Sequence, residues 1–174
     1  LTSWETGYAY KQFIKTFAEN TESLIMGEPE DEYTTIQAGQ ATGELVGGNL
    51  SLFTKLVCGK YAVNLQGKIL FLEELGFEAA PEMVNSNIYY LKQNGVFDKI
   101  AGLWIGNYEH PSKISLEKII MNAIGDEYKF PIIKSDNFGH IDKKIIIPIG
   151  TKAEINTNEK IKIKLVEKCV DKGK

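Results

Sequence analysis

The 174 residues are 43% hydrophobic and 25% charged, enough for one globular domain or a domain with an attached arm. At this size folding buries about 70% of the unfolded surface, so neither a metal nor a disulfide is needed as a staple. No apolar run approaches the ~18–20 residues of a membrane-crossing helix, and the N-terminus lacks the basic-then-apolar layout of a signal peptide, so a cytoplasmic chain with no membrane partner is expected. The net charge is -3 and all twenty basic residues are Lys, which speaks against nucleic acid, because its readers depend on bidentate Arg and strongly basic faces.

In chain order, Tyr10, Phe13, Ile14 and Phe17 recur at helical spacing and predict an amphipathic helix over 8–19 whose apolar face needs a partner. Residues 20–43 are acidic, rich in turn formers and without sustained period, and read as a linker or loose extended segment. Gly47-Gly48-Asn49 reads as a turn, Leu50 to Val57 as a helix, and Lys68 to Leu72 as a strand buried on both faces. Pro81 opens a helix with Val84, Ile88 and Leu91 on one face and Gly95 as its stop. Ala101 to Gly106 follows as a buried strand. Ser115 is the expected N-cap of a helix with a Leu116, Ile119, Ile120, Ala123 and Ile124 stripe, ended by Gly125. Pro131-Ile132-Ile133 is a short strand, and residues 144–149, 152–156 and 161–166 read as strands of an antiparallel end piece. Strands and helices alternating and then closed by hairpins predict an α/β domain with a mixed sheet. Cys58 reads as a small core residue, Cys169 lies in a Lys-rich tail, and Trp104, Tyr89 and Tyr90 are expected in the core. Without a CxxC or Cys/His cluster, a reducing compartment is expected.

Two positions carry possible chemistry. Glu73-Glu74 follows the buried strand, at the carboxyl edge where α/β sheets place their sites, although a solvated strand end has the same signature. His140, in Asn137-Phe138-Gly139-His140, sits in a loop that can present an imidazole to a cleft or leave it exposed to solvent. A carboxylate and an imidazole together make two thirds of a Ser-His-acid triad. None of Ser3, Ser23, Ser51, Ser86, Ser112, Ser115 or Ser135 has the tight strand-to-helix setting of a nucleophile. His110 and His140 have no partners at metal-ligand spacing, and Gly47-Gly48-Asn49-Leu50 lacks a P-loop Lys, so neither metal nor cofactor is expected; that turn reads as a helix start. The sequence opens at Leu1 rather than Met, and a fragment of a longer protein is expected.

Five motifs in order give a family resemblance: Leu45-Val46-Gly47-Gly48-Asn49-Leu50, Gly67 to Glu74, Asn94 to Lys99 with Ala101-Gly102, Phe138-Gly139-His140, and Ile147-Pro148-Ile149-Gly150. Across residues 43–165 the chain resembles the C-terminal domain of the LD-carboxypeptidase family of serine peptidases, which includes the microcin C self-immunity branch. The resemblance implies a swivelling β/β/α-type domain that supplies Glu73 and His140 to a triad, with the Ser and its oxyanion hole on a missing N-terminal domain; Glu74 receives no catalytic role. The expected domains are then a helical arm and interdomain linker at 1–42, the C-terminal domain at 43–166, and a polar tail at 167–174. The implied reaction is amide hydrolysis. Its substrate is a murein tetrapeptide or an aminoacyl-nucleotide, and residues 94–99 look closer to the second branch. Two other readings stay open: a non-catalytic peptide- or nucleotide-binding module, and an assembly domain forming a homodimer.

Overall fold

A computed structural model describes residues 7–170. One sheet of seven strands organises them in the order β1-β5-β4-β3-β2-β6-β7. The strands are β1 (Thr34–Gln37), β2 (Gln40–Asn49), β3 (Ile69–Glu73), β4 (Gly102–Ile105), β5 (Ile132–Lys134), β6 (Lys152–Asn156) and β7 (Ile163–Leu165). The helices are α1 (Tyr8–Phe13), which continues as a π-helical turn over Ile14–Glu19, then α2 (Leu50–Val57), α3 (Pro81–Gln93) and α4 (Leu116–Ile124). This is the expected mixed α/β architecture. Parallel pairing joins β2, β3, β4 and β5, while β1, β6 and β7 are antiparallel.

Strand β2 joins the two parts of the sheet. Its first five residues, Gln40 to Glu44, pair antiparallel with β6, and its last five, Leu45 to Asn49, pair parallel with β3. The period-2 alternation of side chains then divides the core into two. Leu70, Leu72, Leu103, Ile105 and Ile132 face α2, α3 and α4. Ile69, Phe71, Trp104 and Ile133 face the β6–β7 hairpin, the 138–147 loop and Leu24 and Met26 of the arm. All five residues of β3 are buried, which is why its sequence reads as one apolar run.

Several expectations are corrected. Gly47-Gly48-Asn49 is strand rather than turn, because glycine lets β2 press against β3: a Cβ on Gly47 would lie 1.8 Å from the Phe71 carbonyl oxygen. Residues 20–43 are not loose. They hold β1 and the start of β2, and Ile25 bridges Lys164 beside the hairpin; β1 is an edge strand whose Thr and Gln residues show no apolar alternation. Residues 144–149 form no regular strand; Ile145 and Ile147 instead pack as loop residues against the hairpin-side core, and the Ile145 N–H donates to the Asn137 carbonyl at 2.8 Å. On α1 and its π turn the buried positions are Gln12 and Thr16, not the aromatic face, and Phe13 is exposed. Tyr89 and Tyr90 are exposed because they fall beside, not on, the Val84–Ile88–Leu91 stripe. Cys58 is an exposed helix end, whereas Trp104 is fully buried as expected. Ser115 occupies the N-cap position of α4, although its side chain makes no capping bond. No helix among the described residues is long and apolar enough to cross a membrane.

Candidate active site

The two carboxylates at the end of β3 point to opposite faces. Glu73 has the parity of Ile69 and Phe71 and turns toward the 138–147 loop; Glu74, one residue on, turns toward α2. Both are buried, so neither is a solvated strand end.

Glu73 meets His140. Its Oε2 lies 2.8 Å from His140 Nδ1, with the Glu73 side chain only 9% exposed and the imidazole 50% exposed. A carboxylate accepts only, so Nδ1 carries the proton and Nε2 is left as the basic nitrogen. The loop is held to the strand ends by backbone: the Asn107 N–H donates to the Phe138 carbonyl at 3.1 Å, and the Glu74 N–H donates to the Asn107 carbonyl at 3.2 Å. Phe138 anchors it, edge-on to Trp104 at 4.6 Å and to Phe71 at 6.0 Å between ring centroids. Gly139 adopts φ +120°, where a Cβ would sit 3.1 Å from Glu73 Oε2, so glycine keeps the approach between acid and imidazole open.

Glu74 does structural work. Its Oε1 accepts from Asn49 Nδ2 at 2.7 Å and from the Leu75 N–H at 2.9 Å, and its Oε2 accepts from the Ser51 N–H at 3.0 Å and from the Ser51 hydroxyl. Asn49 caps Leu52. The positive start of α2 is therefore already occupied by the protein's own carboxylate: the strand runs through Gly47 and Gly48 to Asn49, which caps the helix, and Glu74 stands where an external anion would bind. Glu74's role escaped the sequence reading. Strand alternation held the signal, because a residue following Glu73 must face the side that carries α2.

A cavity of about 320 Å³ opens beside His140, lined also by Asn49, Ser51, Leu52, Lys55, Glu74, Glu78, Ala79 and Met83. The Ser51 hydroxyl is engaged with Glu74 and with Asn87 Nδ2 at 3.1 Å. Ser135 bonds Trp104 and Asn137, and Ser112 bonds His110 Nδ1 within an exposed turn. Among the described residues no serine hydroxyl is bonded to the His140 ring, and no group of three or more His, Cys, Asp or Glu is placed to hold a metal ion; Ser3 lies outside the described residues. Residues 94–99 sit at the other end of β3, where the Gly67 N–H donates to the Lys99 carbonyl at 2.8 Å, so their likeness to one branch does not bear on what the cavity holds.

The chain is similar to known proteins. The family model of the LD-carboxypeptidase C-terminal domain matches residues 42–155. A probable murein peptide carboxypeptidase of Bacillus subtilis is 33% identical over 97% of this chain and 51% of its own length. The microcin C7 self-immunity protein MccF of Escherichia coli is 26% identical over 71% of this chain and 36% of its own length. The chain thus spans about half, or less, of the length of these relatives. Among solved structures, an MccF-like protein from Bacillus anthracis superposes with a TM-score of 0.68 at 31% identity, over 78% of this chain and 43% of that one. A muramoyltetrapeptide carboxypeptidase from Oxalobacter formigenes gives 0.70 at 19% identity, over 91% and 54%, and shows the shared fold. With the C-terminal domain model covering most of the chain and the murein peptidase aligned along nearly all of it, this chain belongs to the LD-carboxypeptidase family.

Proposed function

We propose that this chain is the C-terminal part of a serine-type carboxypeptidase and supplies the acid and base of a Ser-His-Glu triad. The observation that carries the reading is the 2.8 Å contact between Glu73 Oε2 and His140 Nδ1 beside an open cavity. With Nδ1 held by Glu73, the free Nε2 takes the proton of a Ser hydroxyl as that oxygen attacks an amide carbonyl. It then returns the proton to the leaving amine, and Glu73 stabilises the imidazolium in between. The Ser and the oxyanion donors come from an N-terminal domain in the longer protein, across a cleft onto which His140 opens. Alone, the 174 residues are inactive in this reading. The site of action is cytoplasmic.

The substrate is a murein tetrapeptide cut before its terminal D-residue. That choice rests on the murein peptide carboxypeptidase, which aligns with 97% of this chain. An acyl-sulfamoyl nucleoside is the second reading, favoured by the MccF-like structure at 31% identity. The test offers both compounds to the full-length protein. Tetrapeptide cleavage that falls about 10³–10⁵-fold in His140→Ala and about 10²–10⁴-fold in Glu73→Gln is expected. Cleavage of the nucleoside alone would move the protein to the second branch. No cleavage of either by folded protein would leave a binding module on the same fold.

A further inference from the structure

Half-exposed, the His140 ring needs more than one hydrogen bond to stay on Glu73, and the loop that carries it is gripped from below. Asp31, on the turn before β1, is buried. Its Oδ1 accepts from Lys143 Nζ at 3.0 Å, and its Oδ2 accepts from Asn137 Nδ2 at 3.4 Å. These partners stand three residues after and three residues before His140. One carboxylate therefore ties both flanks of the loop.

Asp31 is itself fixed. Its own N–H donates to the Glu28 carbonyl at 2.9 Å, the Glu28 N–H returns a bond to Oδ2 at 2.8 Å, and the Tyr8 hydroxyl donates to the same oxygen. Helix α1 and its π turn brace that turn through Gln12 to Glu28 at 2.6 Å and Lys15 to the Gly27 carbonyl at 2.8 Å. Asn137 is locked from the other side by a buried relay: Trp104 Nε1 donates to Ser135 Oγ at 2.8 Å, Ser135 Oγ donates to Asn137 Oδ1 at 2.7 Å, and Asn137 Nδ2 also donates to the Tyr33 hydroxyl at 2.8 Å. Lys143 stands over the Tyr8 ring, 4.7 Å from its centroid. Burial pushes the Asp31 carboxyl up, but the bonds from Tyr8, the Glu28 N–H, Lys143 and Asn137 outweigh it and hold the group below the usual carboxylate range. At neutral pH Asp31 is thus an anion.

We propose that Asp31 is a positioning residue for His140: by clasping Asn137 and Lys143 it holds the 137–143 loop so that Nδ1 of His140 stays on Glu73. The proposal deepens the triad reading and rests on it, while its test reads the imidazole rather than turnover. The chain contains two histidines, so a two-bond ¹H–¹⁵N correlation spectrum resolves His140 with His110 as an internal control. With both rings neutral, the Nδ1–H form of His140 dominates in the wild type. Asp31→Asn lowers its Nδ1–H to Nε2–H ratio by about tenfold or more, the worth of a charge-assisted hydrogen bond, and leaves His110 unchanged. Lys143→Met, at a half-exposed position that does not threaten folding, moves the ratio the same way, and Lys143→Arg restores it. A ratio unchanged in folded Asp31→Asn, or in Lys143→Met where Asp31→Asn does not fold, overturns the positioning role while leaving the triad reading intact. A wild type with no Nδ1–H preference overturns both.

Discussion

The two faces of the sheet are closed by different means. On one side α2, α3 and α4 lay apolar stripes over β3, β4 and β5, with Leu50, Val84, Ile88, Leu91 and Ile120 at or near zero exposure. Helices satisfy their own backbone, so this face needs little polar help beyond Glu74 at the start of α2. The other side is covered by a hairpin, a loop and the N-terminal arm. Irregular chain cannot pair its own polar groups, and Asp31, Tyr33, Ser135 and Asn137 do so among the apolar side chains there. His140 emerges from this second face. A loop held by side-chain bonds at both flanks can present an imidazole at the surface with its orientation fixed, which no residue in the middle of a packed helix could do.

The two faces part most visibly at Phe138. Phe138→Ala removes a ring that fills the space between Trp104 and Phe71 and anchors the loop two residues before His140. A stability loss of about 3–5 kcal/mol by urea unfolding is expected, together with loss of turnover in the full-length protein. Its counterpart on the helical face, Ile88→Ala, costs about 2–5 kcal/mol but leaves turnover per folded molecule unchanged. If Ile88→Ala slowed the folded enzyme as much, the two faces would not be functionally separate.

The same division explains what could be read from sequence. The helical face was legible because its periods are regular: the Pro81 start, the Val84–Ile88–Leu91 stripe and the Gly125 stop each have a local cause, and the α2, α3 and α4 spans follow. The β6–β7 end was legible from alternation. The loop face was not, because Ile145 and Ile147 look like strand residues in a segment that packs without a ladder, and because the burial of Gln12 and Asp31 goes with partners 16 and 106 residues away. Glu73 and His140 could be proposed separately from a strand end and a loop, and joined through the family resemblance. That they touch is a fact of tertiary structure alone, since 67 residues separate them.

A smaller effect sharpens the role of the polar clasp at the α2 start. Glu74→Gln keeps the shape but replaces an acceptor-only group that takes four hydrogen bonds at the α2 start and the Leu75 amide. A loss of about 1–3 kcal/mol is expected. Hydrogen exchange should place it locally, with faster exchange at Ser51 and Leu52 and unchanged protection in β4. Uniformly faster exchange across β4 would mean that Glu74 supports the sheet and not just one helix.

The loop face also has a carboxylate clasp, but here the acid meets a Lys as well as neutral donors, and pH separates it from the rest. Because the folded Asp31 carboxyl is held below its unfolded value of about 3.9, its contribution is fully present above that value and is lost as pH falls through the lowered folded value. Asp31→Asn should therefore be less stable than the wild type at pH 7, by about 1.5–3 kcal/mol for bonds to a charged group. The gap should close as both proteins are unfolded at successively lower pH below 4. Because Lys143 is half-exposed and resolvates when its partner is neutral, the closing gap reports the buried carboxylate itself. A gap that stayed constant down to the acid limit would show that the loss comes from how the amide fits among its neighbours and not from the missing charge, and the loop face would then be closed by packing just as the helical face is.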